Sequence, residues 1–377
     1  MTALAVVSLL IWLYLLLAHG RFWQSGPELA PARPDRAPPV VIVVPARDEA
    51  ALISQAVRSL LAQDYPGLLR IIVVDDASTD GTGVIARQAQ DVADARRELI
   101  VMDGRPRPRG WSGKLWAVAQ GVAQADDAEL LLLTDADIVH GRGHVATLVA
   151  HAERGDLDLV SEMVALACNT RAEHTLVPAF VFFFQLLYPF AWVNDPLRGT
   201  AAAAGGTILM RQRALRRIGG VGAVHGALID DVALAAAVKK RGGRIWLGHT
   251  RQARSMRAYP AAADIWRMIA RTAYVQLRFS PLLLVATVLG MALAFLLPPT
   301  EALLGHGAAR WSGWLAWGAI AAAYQPTLHR FGRSFLWAPF LPAVAAFYLA
   351  ATIGAALNHH LGRGVAWKGR AYQGVGM

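Results

Sequence analysis

A single cysteine, Cys168, stands in the 377-residue chain. An intramolecular disulfide is therefore excluded, and nothing points to an oxidising compartment. Cys168 reads most simply as a small core residue, with a catalytic thiol as the lesser reading. His/Cys spacing of the kind that holds zinc is absent, and "SGK" at 112–114 lacks the spacing of a P-loop. Charge is sparse as well: 17% of residues are charged against 55% apolar, and the mean hydropathy is +0.35. That balance is too greasy for an ordinary soluble domain and points to membrane segments. The charge present is lopsided, 37 Lys and Arg against 27 Asp and Glu, a net +10. Nucleic acid, an anionic membrane surface and a phosphate-bearing ligand all suit such a balance. The basic residues are scattered around apolar flanks with no recognition module, which disfavours nucleic acid.

The apolar residues are concentrated at the two ends. Residues 3–18, "ALAVVSLLIWLYLLLA", are uncharged and run to His19, Arg21 and Trp23. They predict an N-terminal transmembrane anchor over 1–20 with its basic, aromatic end at the cytoplasmic face. A cleaved signal peptide is the alternative, but no Lys or Arg precedes the run and no small-residue cleavage site follows it. The Pro-rich stretch within 21–39 reads as a linker. Beyond residue 280, the runs 281–299, 311–326 and 334–357 predict a C-terminal membrane region over 281–377 with two or three segments. Three full spans would carry the basic tail "GRGVAWKGRAYQ" outside, so one segment is re-entrant or the positive-inside tendency is broken. Residues 261–280 place Arg267, Arg271 and Arg278 among apolar and aromatic residues, as in a helix lying on anionic headgroups. "AFVFFFQLLYPFAWV" (179–193) is short for a span and reads as core or as an interfacial element.

Between these ends, residues 40–260 alternate apolar strand-like runs with helical spacing, as in 50–63 and 114–124. Runs apolar on both faces and separated by helices imply α/β architecture: a mostly parallel, Rossmann-like sheet covered on both sides. In such a sheet ligands sit outside the carboxyl ends of the strands. The residues that follow the runs are charged: Arg47 and Glu49 after Pro45, then Asp75 and Asp76, then Asp135 and Asp137. Any one of these aspartates alone would read as a cap or turn. Four aspartates at strand ends on one edge weaken that reading. Asp135-Ala136-Asp137 offers hard carboxylate oxygens suited to Mg²⁺ or Mn²⁺, with phosphate and water completing the shell. Lys114 opens a helix after a Gly-containing loop and can add positive charge toward the same anion. Asp230 and Asp231 open a later helix, either as first-turn acids that complement its dipole or as a general base. Gly205 and Gly206 present bare backbone that an acceptor can approach closely.

In order and spacing, "VVPARDEA", "VVDDASTDGT", "GKLWAVAQG", "TDAD", "GGTILMRQRALRRIGG" and "DDVALAAAVKKRGG" resemble family 2 glycosyltransferases. The N-terminal anchor and the C-terminal helices bearing "WKGRAY" look most like bacterial hopene-associated glycosyltransferases, with ceramide glucosyltransferases as more distant relatives. The resemblance implies a GT-A fold, a nucleotide-sugar donor (a UDP-sugar before a GDP-sugar), a lipid acceptor, and Mg²⁺ or Mn²⁺. It implies that Asp76, with Asp75 beside it, holds the nucleotide base, with Arg47 and Glu49 near base and ribose and Pro45 alongside. Asp137 would be the metal ligand, Asp135 would lie near the metal and donor sugar, and Lys114 would meet the diphosphate. Asp231 would be the base of an inverting displacement, with Gly205, Gly206 and Asp230 on the acceptor side. The enzyme would sit in the bacterial inner membrane as a multi-pass protein with its catalytic domain in the cytoplasm. Two departures stand out. The family commonly shows Glu-Asp at 230–231, and processive relatives carry Gln-x-x-Arg-Trp where this chain has "MIART", keeping only Arg271. Arg271 would clamp the diphosphate or line a solvated helix face; loss of the Trp implies one sugar per acceptor. The competing readings are a ceramide-type or polyprenyl-phosphate glycosyltransferase, and a non-catalytic membrane scaffold that kept the fold.

Overall fold

The computed structural model describes residues 2–92, 96–125, 128–361, 365–367 and 370–372. Much of the tail "GRGVAWKGRAYQ" therefore lies outside the described residues. Contacts divide the chain into an α/β unit, 27–167 with 192–257, and a helical unit, 1–26 with 168–191 and 258–373.

The α/β unit holds β1 (Val40–Ala46), β2 (Leu69–Asp75), β3 (Arg97–Asp103), β4 (Leu130–Leu133), β5 (Ile138–His140), β6 (Leu159–Ala165), β7 (Ile208–Arg211) and β8 (Ile245–Ser255). They form one sheet in the order β3-β2-β1-β4-β7-β6-β8-β5. The first four are all parallel. Strand β7 is inserted antiparallel between β4 and β6, and β5 pairs antiparallel with β8. The sheet is thus mixed. Val41 to Val44 and all of β4 are buried, as strands covered on both faces must be. One cover is the helix Ile53–Leu61, which buries Ile53, Ala56, Val57, Leu60 and Leu61, the i, i+3, i+4 stripe of an amphipathic helix. The chain leaves β1 toward β2 and β3 and then returns to add β4 on the other side of β1. A crevice opens at this reversal beyond the strand ends. Register aligns its walls: Ala46 pairs with Asp75, so 47–49 and 76 leave the sheet at one level.

Residues 27–39 run along the α/β unit, tied at several points. The His249 N–H donates to the Pro27 carbonyl at 2.8 Å, the Ala32 N–H to Thr147 Oγ1 at 3.2 Å, and the Tyr65 hydroxyl to the Pro38 carbonyl at 2.6 Å.

In the helical unit, Pro281–Leu304 and Phe335–His360 are long and apolar enough to cross a membrane; the apolar helix Thr2–Leu17 is shorter. The first of these carries a π turn at Ala292–Leu296, which breaks the regular ladder and frees carbonyls. The Ser8 hydroxyl donates to the Leu293 carbonyl at 2.7 Å and the Trp12 indole to that of Ala294 at 2.6 Å. The stretch 179–193 buries Ala179, Val181, Phe182, Gln185, Phe190 and Val193 and leaves Leu187 and Ala191 exposed. It falls largely in the helix Arg171–Leu187, which starts at a Thr170/Glu173 capping box and buries Leu176, Val177, Ala179, Val181 and Phe182. The helix Ala262–Gln276 buries Ile265, Ile269 and Tyr274 and leaves Arg267 and Arg271 exposed.

Candidate active site

The loops after β1 and β2 are laced together. The Asp48 N–H donates to Ser78 Oγ at 3.0 Å, that of Glu49 to Thr82 Oγ1 at 2.8 Å, and that of Ala50 to Asp80 Oδ2 at 2.9 Å. Asp48 and Ala77 both take left-handed backbone, at φ 48 and 53, which is costly for residues with a Cβ. The cross-loop bonds hold that conformation. Arg47 donates to the Asp76 carbonyl and lies 4.0 Å from its carboxylate, while Asp76 itself is buried. Asp75 is turned to its own loop: Oδ1 accepts the Ser78 N–H at 3.0 Å, and Oδ2 lies 2.6 Å from where a Cβ on Gly83 would sit. The structure thus joins Asp76 to Arg47 and gives Asp75 a turn role.

A second cluster forms where β4 ends and the helix Asp230–Lys240 begins. Lys114, on the helix Gly113–Val122 capped by Ser112, places Nζ 2.8 Å from Asp135 and 3.2 Å from Asp230. Burial works to lower the Lys114 pKa, but Asp135 and Asp230 outweigh it and hold the ammonium charged well above its ordinary range. Burial raises the Asp135 carboxyl despite Lys114. Asp231 Oδ2 accepts the Gly205 N–H at 2.8 Å and Oδ1 accepts the Val232 N–H at 2.8 Å. Burial, reinforced by Asp230, pushes the Asp231 carboxyl up to about 6. A Cβ on Gly205 would stand 3.2 Å from Lys114 Nζ and 3.4 Å from Asp231 Oδ2, so the bare backbone here is what lets the cluster close. Pro45, Lys114, Thr134, Asp135, Gly205, Asp230 and Asp231 line one narrow recess. A Cβ on Gly206 would press on Val164 and Ile138.

Asp137 is held differently. Its Oδ2 accepts the Ser255 hydroxyl at 2.8 Å and faces Arg257 Nε at 3.3 Å; Arg257 also reaches Glu49 at 2.5 Å. Among the described residues no group of three or more His, Cys, Asp or Glu side chains can enclose a metal ion. Asp135, engaged by Lys114, and Asp137, engaged by Ser255 and Arg257, carry carboxylate oxygens of the hard kind that Mg²⁺ or Mn²⁺ takes together with phosphate and water. Arg271 belongs to the helical unit.

Sequence reasoning missed a buried relay beneath the Asp135 loop. Thr134 donates to the Gly206 carbonyl at 2.7 Å, so its oxygen must accept from His140 Nε2 at 3.0 Å. His140 Nδ1 then accepts from His144 Nδ1–H at 2.8 Å, which leaves His144 Nε2 to accept at 2.6 Å from a protonated Glu162. Burial agrees with this proton count: it pushes Glu162 up to about 8 and His144 down to about 3, and holds His140 well below its ordinary value. The spacing "HGRGH" was the visible signal; the partners Thr134 and Glu162 come from other strands.

A pH effect follows from these shifts. Folded Glu162 keeps a proton that the unfolded chain loses above an ordinary carboxylate pKa, so its contribution to stability falls as pH rises toward about 8. The two histidines act oppositely, adding stability as pH rises, but only up to their unfolded value of about 6.5. Between about pH 6.5 and 8 the glutamate acts alone and should cost up to about 2 kcal/mol. Glu162→Gln keeps a donor for His144 and removes the titration. The drop in unfolding midpoint across that window should vanish in the variant; an equal drop in both proteins would mean that Glu162 is ionised throughout.

The sequence profile of glycosyl transferase family 21 matches residues 1–374. An N-acetylglucosaminyltransferase of Rhizobium leguminosarum bv. viciae is 33% identical over 101 residues, 26% of this chain. The chain spans only 22% of that curated relative's length. Among solved structures, a mannosyltransferase from Pyrobaculum calidifontis in complex with GDP-Man and Mn²⁺ superposes with a TM-score of 0.56 at 23% identity, covering 96% of this chain and 99% of that one. At that identity the likeness speaks for the fold, a GT-A-like glycosyltransferase fold.

Proposed function

The chain belongs to glycosyl transferase family 21, and from this premise we propose that it is a membrane-bound inverting glycosyltransferase that moves one sugar from a nucleotide-sugar donor, a UDP-sugar, to a lipid hydroxyl. The observation that carries the mechanism is the Asp231 carboxylate, raised to about 6 and pinned by the Gly205 N–H in the recess that Lys114 and Asp135 share. A carboxylate of that basicity accepts the acceptor's hydroxyl proton better than an ordinary aspartate as the oxygen attacks the anomeric carbon. Lys114 sets positive charge beside Asp135, where the donor's diphosphate would lie, and its two carboxylate partners keep the ammonium protonated. Asp137 and Asp135 would hold the Mg²⁺ or Mn²⁺, which supplies Lewis-acid neutralisation of the departing diphosphate. Asp76 and Arg47 form the base end of the donor site, with Glu49 beside the ribose.

The two apolar helices and the exposed arginines 267, 271 and 278 support a lipid-facing helical unit from which the acceptor is drawn. We place the enzyme in a bacterial inner membrane, multi-pass, with the α/β unit in the cytoplasm, and give Arg271 a diphosphate-clamping role. For the acceptor, membership in family 21 favours a ceramide-type hydroxyl, while the hopanoid suggested by the terminal segments is the second reading. Protein in lipid is incubated with UDP- and GDP-sugars and with ceramide, hopanoid and polyprenyl phosphate, and products are weighed. A hexosyl adduct on one lipid alcohol is expected; adducts on polyprenyl phosphate alone, or none, would overturn the lipid-hydroxyl reading.

Asp76→Ala should weaken binding of UDP by about tenfold to a hundredfold, the scale of one charge-assisted hydrogen bond, with the fold intact. Calorimetry reads this directly. Unchanged affinity would make Asp76 a turn residue.

A further inference from the structure

The end of β8 brings an arginine to the carboxylates of two other strand ends. The Met256 N–H donates to the Asp137 carbonyl at 2.9 Å, and the Arg257 N–H to Ser255 Oγ at 3.2 Å. These bonds fix the backbone from which the Arg257 side chain reaches both Asp137 Oδ2 and Glu49 Oε1, at 3.3 and 2.5 Å. The two carboxylate side chains are 11% and 10% exposed, whereas the guanidinium side chain is 33% exposed. Nearly buried carboxylates need a counter-charge. The arginine that supplies it keeps one flank in water and room to move.

We propose that Arg257 is an exchangeable counter-ion of Asp137, which a divalent cation must displace to bind there, and which thereby makes cation binding depend on the nucleotide diphosphate. This inference rests on the assignment of Asp137 as a metal ligand. A divalent ion and a guanidinium on one carboxylate oxygen repel each other, so the cation binds only as Arg257 withdraws. Withdrawal costs Arg257 its contact with Asp137 unless another anion receives the guanidinium. The diphosphate of the donor is an anion that can receive the guanidinium, and bidentate geometry suits arginine to it. Cation and nucleotide therefore bind with positive coupling, and that coupling is reciprocal. In this role Arg257 is a positioning residue.

The test titrates Mn²⁺ into full-length protein in lipid nanodiscs, by electron paramagnetic resonance, with and without UDP. Wild type should bind Mn²⁺ weakly alone and at least about tenfold more tightly with UDP, within the usual range of coupling. Arg257→Gln should bind Mn²⁺ alone about tenfold more tightly than wild type and should lose most of the enhancement by UDP. Arg257→Met, which keeps the apolar stem, carries the same expectation should the glutamine variant not fold. Asp137→Asn should lose Mn²⁺ binding in both conditions. If Asp137→Asn loses Mn²⁺ but the Arg257 variants bind it no more tightly than wild type, the counter-ion role is overturned and the metal assignment stands. If wild type binds no Mn²⁺ with or without UDP, the metal assignment fails and this inference fails with it.

Discussion

Asp231→Asn should bind donor and Mn²⁺ as the wild type does and transfer sugar at least about a hundredfold more slowly, the scale on which loss of a general base is felt. Asparagine keeps the size of the side chain and an oxygen that can still accept the Gly205 N–H, now at 2.8 Å. What it lacks is the capacity to take a proton. Because burial and Asp230 raise the carboxyl to about 6, the wild-type rate should climb as pH rises through about 6 and level off above it, where the base is ionised. The variant should show no such limb. Near-normal transfer by a folded, donor-binding variant would move the role to another group, with Asp230 the first to try.

Asp137→Ala should lower turnover by about a thousandfold, since a bound cation's stabilisation of a departing diphosphate is worth several kcal/mol. Chelation of the wild type should match it, and excess Mn²⁺ should rescue only the wild type. The variant also strips Arg257 and Ser255 of their shared partner, so its folding is verified by its unfolding midpoint. Wild-type turnover that persists in excess chelator would sink the metal assignment.

The strand ends were legible because parallel strands buried on both faces spell themselves as unbroken apolar runs, and charge at the end of such a run has few places to point. Asp76 follows β2 directly and Asp135 lies just beyond β4. Strand β7 was not legible as antiparallel: "ILMR" is four buried residues, and so short a buried run carries no direction. Strand β8 hides for the opposite reason. Its "IWLGHTRQARS" is too polar to look like a strand, so the rule that found Asp137 was never applied to Arg257. Glu162 has no exposed side-chain surface, yet in "LVSEMVA" it looks like a solvent-facing position; its proton and its bonds to His144 and Thr250 make that burial tolerable. The helix Arg171–Leu187 lies between strands in the chain yet belongs to the helical unit, a placement that chain order alone does not show.

The π turn at Ala292–Leu296 also bears on the order in which the protein is made. Its freed carbonyls are satisfied by Ser8 and Trp12, residues separated from them by 285 and 282 positions. Leaving two carbonyls unpaired in apolar surroundings costs about 1–3 kcal/mol each. Such distant closures are slow to form and come late. These two bonds can close only once residues 293 and 294 have been made, whereas every strand of the β1–β8 sheet is already in hand by Ser255. The α/β unit can thus fold while the helical unit is still being synthesised. A chain made to start after residue 20 should yield a folded sheet and a destabilised helix 281–304, with the damage far from the deletion in sequence.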